Sequence, residues 1–270
     1  GLVGGPRPGG CFVAVSEFAA YDVAAAAWDL GPGRLYRACA EALLDAAPVA
    51  VAAARVLDLG AGTGLAGRAA LARGAGSVVA TDRAGAMLRT GSGRCAVQAD
   101  AYALPFAPGS FDLVVAAFVI NHLDDPVRGL RECRRVAPAL VASSFDRSWS
   151  HPAKTLVDAA MAEAGFTEPA WYAGIQTTND QVKDAAELIR LAEQAGYSRV
   201  EVTRVEVVTG IVDAAQMVQW RWGMAHLAPF VASLEEPTRE RMRQRAERAV
   251  AGLGPVVVPM LALSADSDPA

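Results

Sequence analysis

Residues 56–64 read VLDLGAGTG, with glycine at every second position from Gly60 to Gly64 directly after a short apolar run. Alternate glycines let a chain turn sharply and let a ligand come close to the backbone. Arg55 to Leu59 have the length of a buried strand, and Leu65 to Arg73 continue as a helix. A helix that opens directly after such a turn presents free N–H groups to its ligand. This strand–turn–helix unit restricts the chain to α/β folds that bind a cofactor at the carboxyl edge of a sheet.

The rest of the chain fits that restriction. Further strands are expected at 77–82, 95–98, 111–118, 139–145, 199–208 and 256–263, and helices at 83–88, 126–136, about 153–164 and 180–195. Apolar runs that alternate with helices argue for a mostly parallel sheet covered on both faces. Before the glycine loop, 12–47 reads as two helices parted by Gly31-Pro32-Gly33. Residues 213–251 read as helix broken near Pro229 and Pro237. Residues 1–10 read as a floppy tail without the pattern of a signal peptide. The expected organisation is one domain over 11–270: N-terminal helices at 11–50, a cofactor-binding core at 51–145, and cap insertions at 146–178 and 211–252.

Composition narrows the function classes. The 270 residues are 53% hydrophobic and carry a net charge of −4, with lysine only at 154 and 183. An acidic chain is a poor general partner for nucleic acid or anionic membrane, and no apolar run reaches the length of a spanning helix. The alanine-rich, lysine-poor bias suggests a GC-rich bacterial genome. The four cysteines, Cys11, Cys39, Cys95 and Cys133, lie far apart without a C-x-x-C pair, so neither a zinc site nor a disulfide scaffold is expected. Buried thiols in a reducing cytoplasm are the expectation, with no metal.

Two cofactor classes compete for the loop. Gly62 to Gly67 satisfies G-x-G-x-x-G, which alone admits a dinucleotide. Asp82, ending the second strand, does not discriminate, because both classes hold ribose hydroxyls there. Asp58 does discriminate: beside the loop its carboxylate would repel a pyrophosphate and attract an ammonium group. An NAD-dependent oxidoreductase is therefore the remote alternative.

Several ordered segments then point one way. VLDLGAGTG at 56–64, VVATD at 78–82, Met87-Leu88, QADAYALPF at 98–106, SFDLVV at 110–115 and FVINHLDDP at 118–126 together resemble the class I S-adenosylmethionine (SAM)-dependent methyltransferases, in their small-molecule, ubiquinone/menaquinone-type and natural-product branch. The resemblance covers about 50–145. Asn121 departs from the usual histidine, and 135–139 lacks the usual LKPGG turn. The resemblance implies a Rossmann-like seven-stranded sheet of order 3-2-1-4-5-7-6, with strand seven antiparallel. It implies that Gly60, Gly62 and Gly64 pack against the methionine part of SAM, with Asp58 near its ammonium, directly or through water. Asp82 would hold the ribose, Arg83 and Met87 would flank the adenine, and Asp100 and the Ala101 N–H would meet its polar edge. Phe118 would offer its carbonyl to the ammonium. S-Adenosylhomocysteine would be the product.

The acceptor side is read from residue chemistry. His122 follows strand four and His151 follows strand five, both at the carboxyl edge, so either could be a general base. Trp149, Trp171, Tyr172 and His226 lie in the expected cap, whose aromatic content suits an apolar, ring-containing acceptor. Tyr21 or Trp28 could close over SAM. The expected activity is methyl transfer to a small organic acceptor in bacterial secondary metabolism. An alternative is a cyclase-type enzyme that binds SAM without transferring its methyl, because binding motifs do not report turnover. Neither acceptor identity nor oligomeric state is legible.

Overall fold

The computed structural model describes residues 16–91 and 95–267. The expected tail and the start of the first helix at Phe12 lie outside them. Ser16 caps the first helix, α1 (Glu17–Trp28), by accepting the Ala19 N–H, and Pro32 opens α2 (Pro32–Leu44). The core then alternates β1 (Arg55–Leu59), α3 (Leu65–Ala72), β2 (Ser77–Asp82), α4 (Gly85–Gly91), β3 (Ala96–Gln98) and β4 (Leu113–Ala117). A 3-10 turn at Ile120–His122, α5 (Pro126–Val136) and β5 (Ala139–Phe145) follow.

Further helices and the final strands complete the chain. They are α6 (Pro152–Glu163), α7 (Ala170–Gln181), α8 (Ala185–Gln194), β6 (Arg199–Val208), α9 (Ala214–Trp222), α10 (Ala228–Ser233), α11 (Glu236–Val250) and β7 (Val257–Asp266). The sheet order is β3-β2-β1-β4-β5-β7-β6. The first five strands pair parallel, and β7 runs antiparallel to both β5 and β6. This is the expected sheet.

Strand alternation sends side chains to two cores. Val56, Val115 and Val141 face a layer built from α2, α3, α6, α9 and α11. Leu57, Val114 and Leu140 face α5 and α8. Among the described residues no helix is long and apolar enough to cross a membrane.

Three local expectations need correction, and a fourth holds. Residues 146–178 hold two helices: α7 was not expected, because Trp171-Tyr172 is followed by the polar run Gln176 to Gln181 without a 3.6-residue apolar repeat. The helix expected from Asp180 begins at Ala185, where Asp184 accepts the Ala186 N–H as its cap. The run 213–251 is broken near Pro229 and Pro237 as expected, each proline standing in the first turn of the next helix, α10 or α11. Cys39 and Cys133 are buried as expected, but Cys95 is exposed.

Candidate active site

The glycine loop between β1 and α3 sets the floor of a cavity at the carboxyl edge. Gly60, Gly62 and Gly64 all take positive φ, at 60°, 55° and 80°. A side chain at Gly60 would meet Val119 at 2.3 Å, so the close approach of backbone to the β4 end also requires glycine. The loop is fastened from outside: Thr63 Oγ1 donates to Asp29 Oδ1 at 2.6 Å, tying it to the end of α1.

Asp82 completes the loop. Its Oδ2 accepts the Gly62 N–H and its Oδ1 the Ala84 N–H, both at 2.8 Å. Burial raises its pKa, opposed by those amides and by the charge of His122. The Arg83 amide acts on it as well, and since a carboxylate offers about four acceptor positions, capacity remains for a ligand. Asp100 is similarly placed: Oδ1 accepts the Tyr102 N–H at 3.0 Å.

Phe118 follows β4 at φ 55°, an uncommon conformation for a bulky residue, and its N–H donates to Ser143 Oγ at 3.1 Å. Such strain costs on the order of 1–3 kcal/mol and persists only where neighbours enforce it. Here it turns the chain out of the sheet and into the 3-10 turn that carries Asn121 and His122.

One cavity gathers nine of the expected site residues: Gly60, Gly62, Asp82, Arg83, Met87, Asp100, Ala101, Phe118 and His122. Glu17, Tyr21 and Trp28 of α1 and Tyr36 of α2 also line it, with Asn121 and Phe145. Tyr21 and Trp28 thus stand where closure over a ligand was expected. His122 joins the two parts: Nδ1 lies 3.0 Å from Glu17 Oε1, and Nε2 lies 3.5 Å from the Tyr21 hydroxyl. With Nδ1–H donating to Glu17, Nε2 is left as a proton acceptor. Tyr36, Phe118 and Phe145 form an aromatic wall, with Phe118 and Phe145 ring centres 4.3 Å apart.

Other expected residues do not line this cavity. Asp58 is 1% exposed, and its Oδ2 accepts the Gly67 N–H at 2.7 Å; it braces the loop from beneath the cavity floor. Burial pushes its pKa up to about 7. Gly64 supplies the left-handed residue before α3. His151 caps α6, its Nδ1 accepting the Ala153 N–H at 3.2 Å, so that nitrogen is committed to the helix. Trp149 stacks behind Phe145 at 6.0 Å, and Trp171 packs against the α1–α4 cluster. Tyr172 stacks on His226 at 3.8 Å, and burial, with Arg221 and Lys154 nearby, lowers the His226 pKa to about 3.

Glu17, Tyr36 and Phe145 were not singled out from sequence. Glu17 and Tyr21 share a helix face by their i,i+4 spacing, but nothing local shows that this face meets a turn 105 residues away.

The cavity fits SAM by the chemistry of its walls. Asn121 Oδ1 is buried without a partner among the described residues, an acceptor suited to a ligand's N–H groups. Asp82 and Asp100 keep acceptor capacity, and Met87 and Ala101 supply apolar surface.

The fold and this cavity define a methyltransferase-type cofactor site, and the comparisons agree. A methyltransferase-domain family profile matches residues 57–138. Demethylmenaquinone methyltransferases of Mycolicibacterium vanbaalenii and Thermobifida fusca are each 32% identical to the chain, over 192 and 199 residues, covering 67% of the chain and 82% of each relative. In structure, a methyltransferase ascribed to an antibiotic biosynthesis pathway of Anabaena variabilis superposes with TM-score 0.57 at 16% identity, over 84% of the chain and 96% of its own. A Haemonchus contortus phosphoethanolamine N-methyltransferase, in complex with phosphomonomethylethanolamine and S-adenosylhomocysteine, gives 0.55 at 15%, over 94% and 61%. The chain belongs to the class I SAM-dependent methyltransferases of small-molecule type, with SAM as its cofactor.

Proposed function

We propose that this enzyme methylates a hydroxyl or protonated amine on a small, ring-containing acceptor of bacterial secondary metabolism, acting in the cytoplasm. When bound, SAM supplies an electrophilic methyl on a sulfonium. Gly60 and Gly62 bring backbone against the methionine part, while Asp82 accepts from the ribose hydroxyls. Asp100 and the Ala101 N–H meet the adenine edge, flanked by Arg83 and Met87. The Phe118 carbonyl and Asn121 Oδ1 face the ammonium group. This reassigns the ammonium contact from Asp58, which is turned into the loop.

On the acceptor side, the wall of Tyr36, Phe118 and Phe145 aligns a ring by apolar and edge-to-face contact. His122 Nε2 receives the acceptor proton, and Glu17 holds the imidazole and stabilises its protonated form. Alignment of nucleophile, methyl and sulfur is expected to supply much of the acceleration. His122 is favoured over His151 because His122 lines the cavity, whereas His151 lies outside it with its Nδ1 capping α6.

The observation that carries this reading is the presence in one cavity of the glycine loop, Asp82 and a carboxylate-backed histidine beside an aromatic wall. The test is calorimetry with SAM, S-adenosylhomocysteine and NAD, followed by transfer of labelled methyl from SAM to ring-bearing alcohols, phenols and amines. The first two ligands should bind and NAD should not. Product formation from one acceptor without incorporation of label would favour cyclase-type chemistry.

A further inference from the structure

The contacts proposed above leave one charged group of SAM without a partner, its α-carboxylate. Most of the cavity is unsuited to it. Glu17, Asp82, Asp100 and Asp124 line the cavity and would repel an anion. Among the described residues Arg83 is the only lysine or arginine that lines it, and Arg83 follows Asp82 at the ribose and adenine end. The glycine-loop amides of Ala61, Gly62 and Gly64 are already engaged, by the Thr81 carbonyl, Asp82 and the Ala61 carbonyl.

Two donors remain. Trp28 is 7% exposed and Tyr36 is half-buried; both line the cavity, and their rings stack at 5.3 Å. Among the described residues neither the Trp28 indole N–H nor the Tyr36 O–H has a hydrogen-bond partner. Neither is sealed in the core, as the indole nitrogens of Trp171 and Trp222 are. A buried donor without an acceptor is costly, so a ligand that supplies one is favoured there. Burial holds the Tyr36 phenol pKa well above its ordinary value, so Tyr36 is a neutral donor.

The position of the pair fits the methionine end of the cofactor. Asp29, next to Trp28, accepts the Thr63 hydroxyl of the glycine loop at 2.6 Å. Tyr36 meets the Phe118 ring edge-on at 5.3 Å, and Phe118 is the residue whose carbonyl faces the ammonium in the reading above. Glu17 begins α1 and Trp28 ends it, so they stand roughly 16 Å apart along the helix.

We propose that the Trp28 N–H and the Tyr36 O–H together hold the α-carboxylate of SAM, two neutral donors in place of a cation. This rests on the methyltransferase reading above. The carboxylate has its counter-charge in the ammonium on the same carbon, so the protein need add only hydrogen bonds, which are stronger when the acceptor is charged. The Tyr36 ring keeps its place in the aromatic wall, so this one residue serves the cofactor with its hydroxyl and the acceptor with its ring.

The test is calorimetry of S-adenosylhomocysteine against its decarboxylated analogue, S-adenosyl-thiopropylamine, which keeps the ammonium and lacks the carboxylate. The ratio of the two affinities in the wild type is the reference. Tyr36→Phe and Trp28→Phe should each shift that ratio against S-adenosylhomocysteine by about fivefold, and the double variant by more. A packing defect weakens both ligands alike and leaves the ratio unmoved, so the ratio reads the carboxylate contact alone. A ratio that stays within about twofold of the wild type in both single variants would overturn the assignment. So would a ratio that collapses in Arg83→Gln and survives in the double variant, which would give the carboxylate to Arg83. Failure of S-adenosylhomocysteine to bind the wild type would instead overturn the methyltransferase reading.

Discussion

His122 Nδ1 lies 3.0 Å from Glu17 Oε1, joining the turn after β4 to the first described helix. The contact holds α1 against the cavity, and in the proposed mechanism Nδ1–H donates to Glu17 while Nε2 serves as the base. Loss of a general base typically costs ~10²–10⁴ in rate. His122→Ala is therefore expected to lower kcat by that range, with SAM affinity within about twofold. Glu17→Gln keeps a hydrogen-bond acceptor but not the charge, and should cost about tenfold. Steady-state kinetics with calorimetry of SAM binding checks both. Full activity in His122→Ala would point to alignment alone.

Asp82 both orders the loop and is proposed to hold the ribose. Asp82→Ala removes the acceptor for the Gly62 and Ala84 amides as well as for two ligand hydroxyls. Charged hydrogen bonds contribute on the order of 1.5–3 kcal/mol each. SAM binding should weaken by about 2–4 kcal/mol in calorimetry. An unchanged dissociation constant would detach β2 from cofactor binding.

Asp58 should make stability depend on pH. Burial raises its folded pKa to about 7, against about 3.9 in an unfolded chain. Protonation therefore favours the folded state below pH 4, and this contribution is lost as pH rises through 7. Asp58→Asn can keep the acceptor for the Gly67 N–H without the charge. The variant should gain on the wild type by roughly 1–3 kcal/mol between pH 4 and pH 8, read by urea unfolding at each pH. A constant difference would contradict a raised pKa.

His226 works in the opposite direction. Burial, then Arg221 and Lys154, lower its folded pKa to about 3, against about 6.5 unfolded. The neutral ring's contribution is complete above pH 6.5 and is lost as pH falls toward 3. Between pH 7 and pH 4.5 the wild type should lose about 1–3 kcal/mol more than His226→Phe, which keeps a ring for Tyr172 to stack on. Parallel losses in urea unfolding would show that His226 stays accessible to protons.

Local patterns carried much of this protein. The glycine spacing at 60–64, the short apolar runs and the acid ending β2 are properties of contiguous residues, because turn conformation and strand period depend on near neighbours. Nine of the expected site residues accordingly fall in one cavity. Where the other expected residues lie depended on direction and distant packing. Asp58 has the right chemistry for an ammonium, but strand alternation and the Gly67 amide turn it into the loop. His151, Trp171 and His226 lie in the expected cap, yet a helix cap, the α1–α4 cluster and a ring stack engage them. Glu17 carries no local signal at all. Only the closure of α1 over the sheet edge places its carboxylate on His122, because that contact joins residues whose relative position is set by the packing of the whole domain.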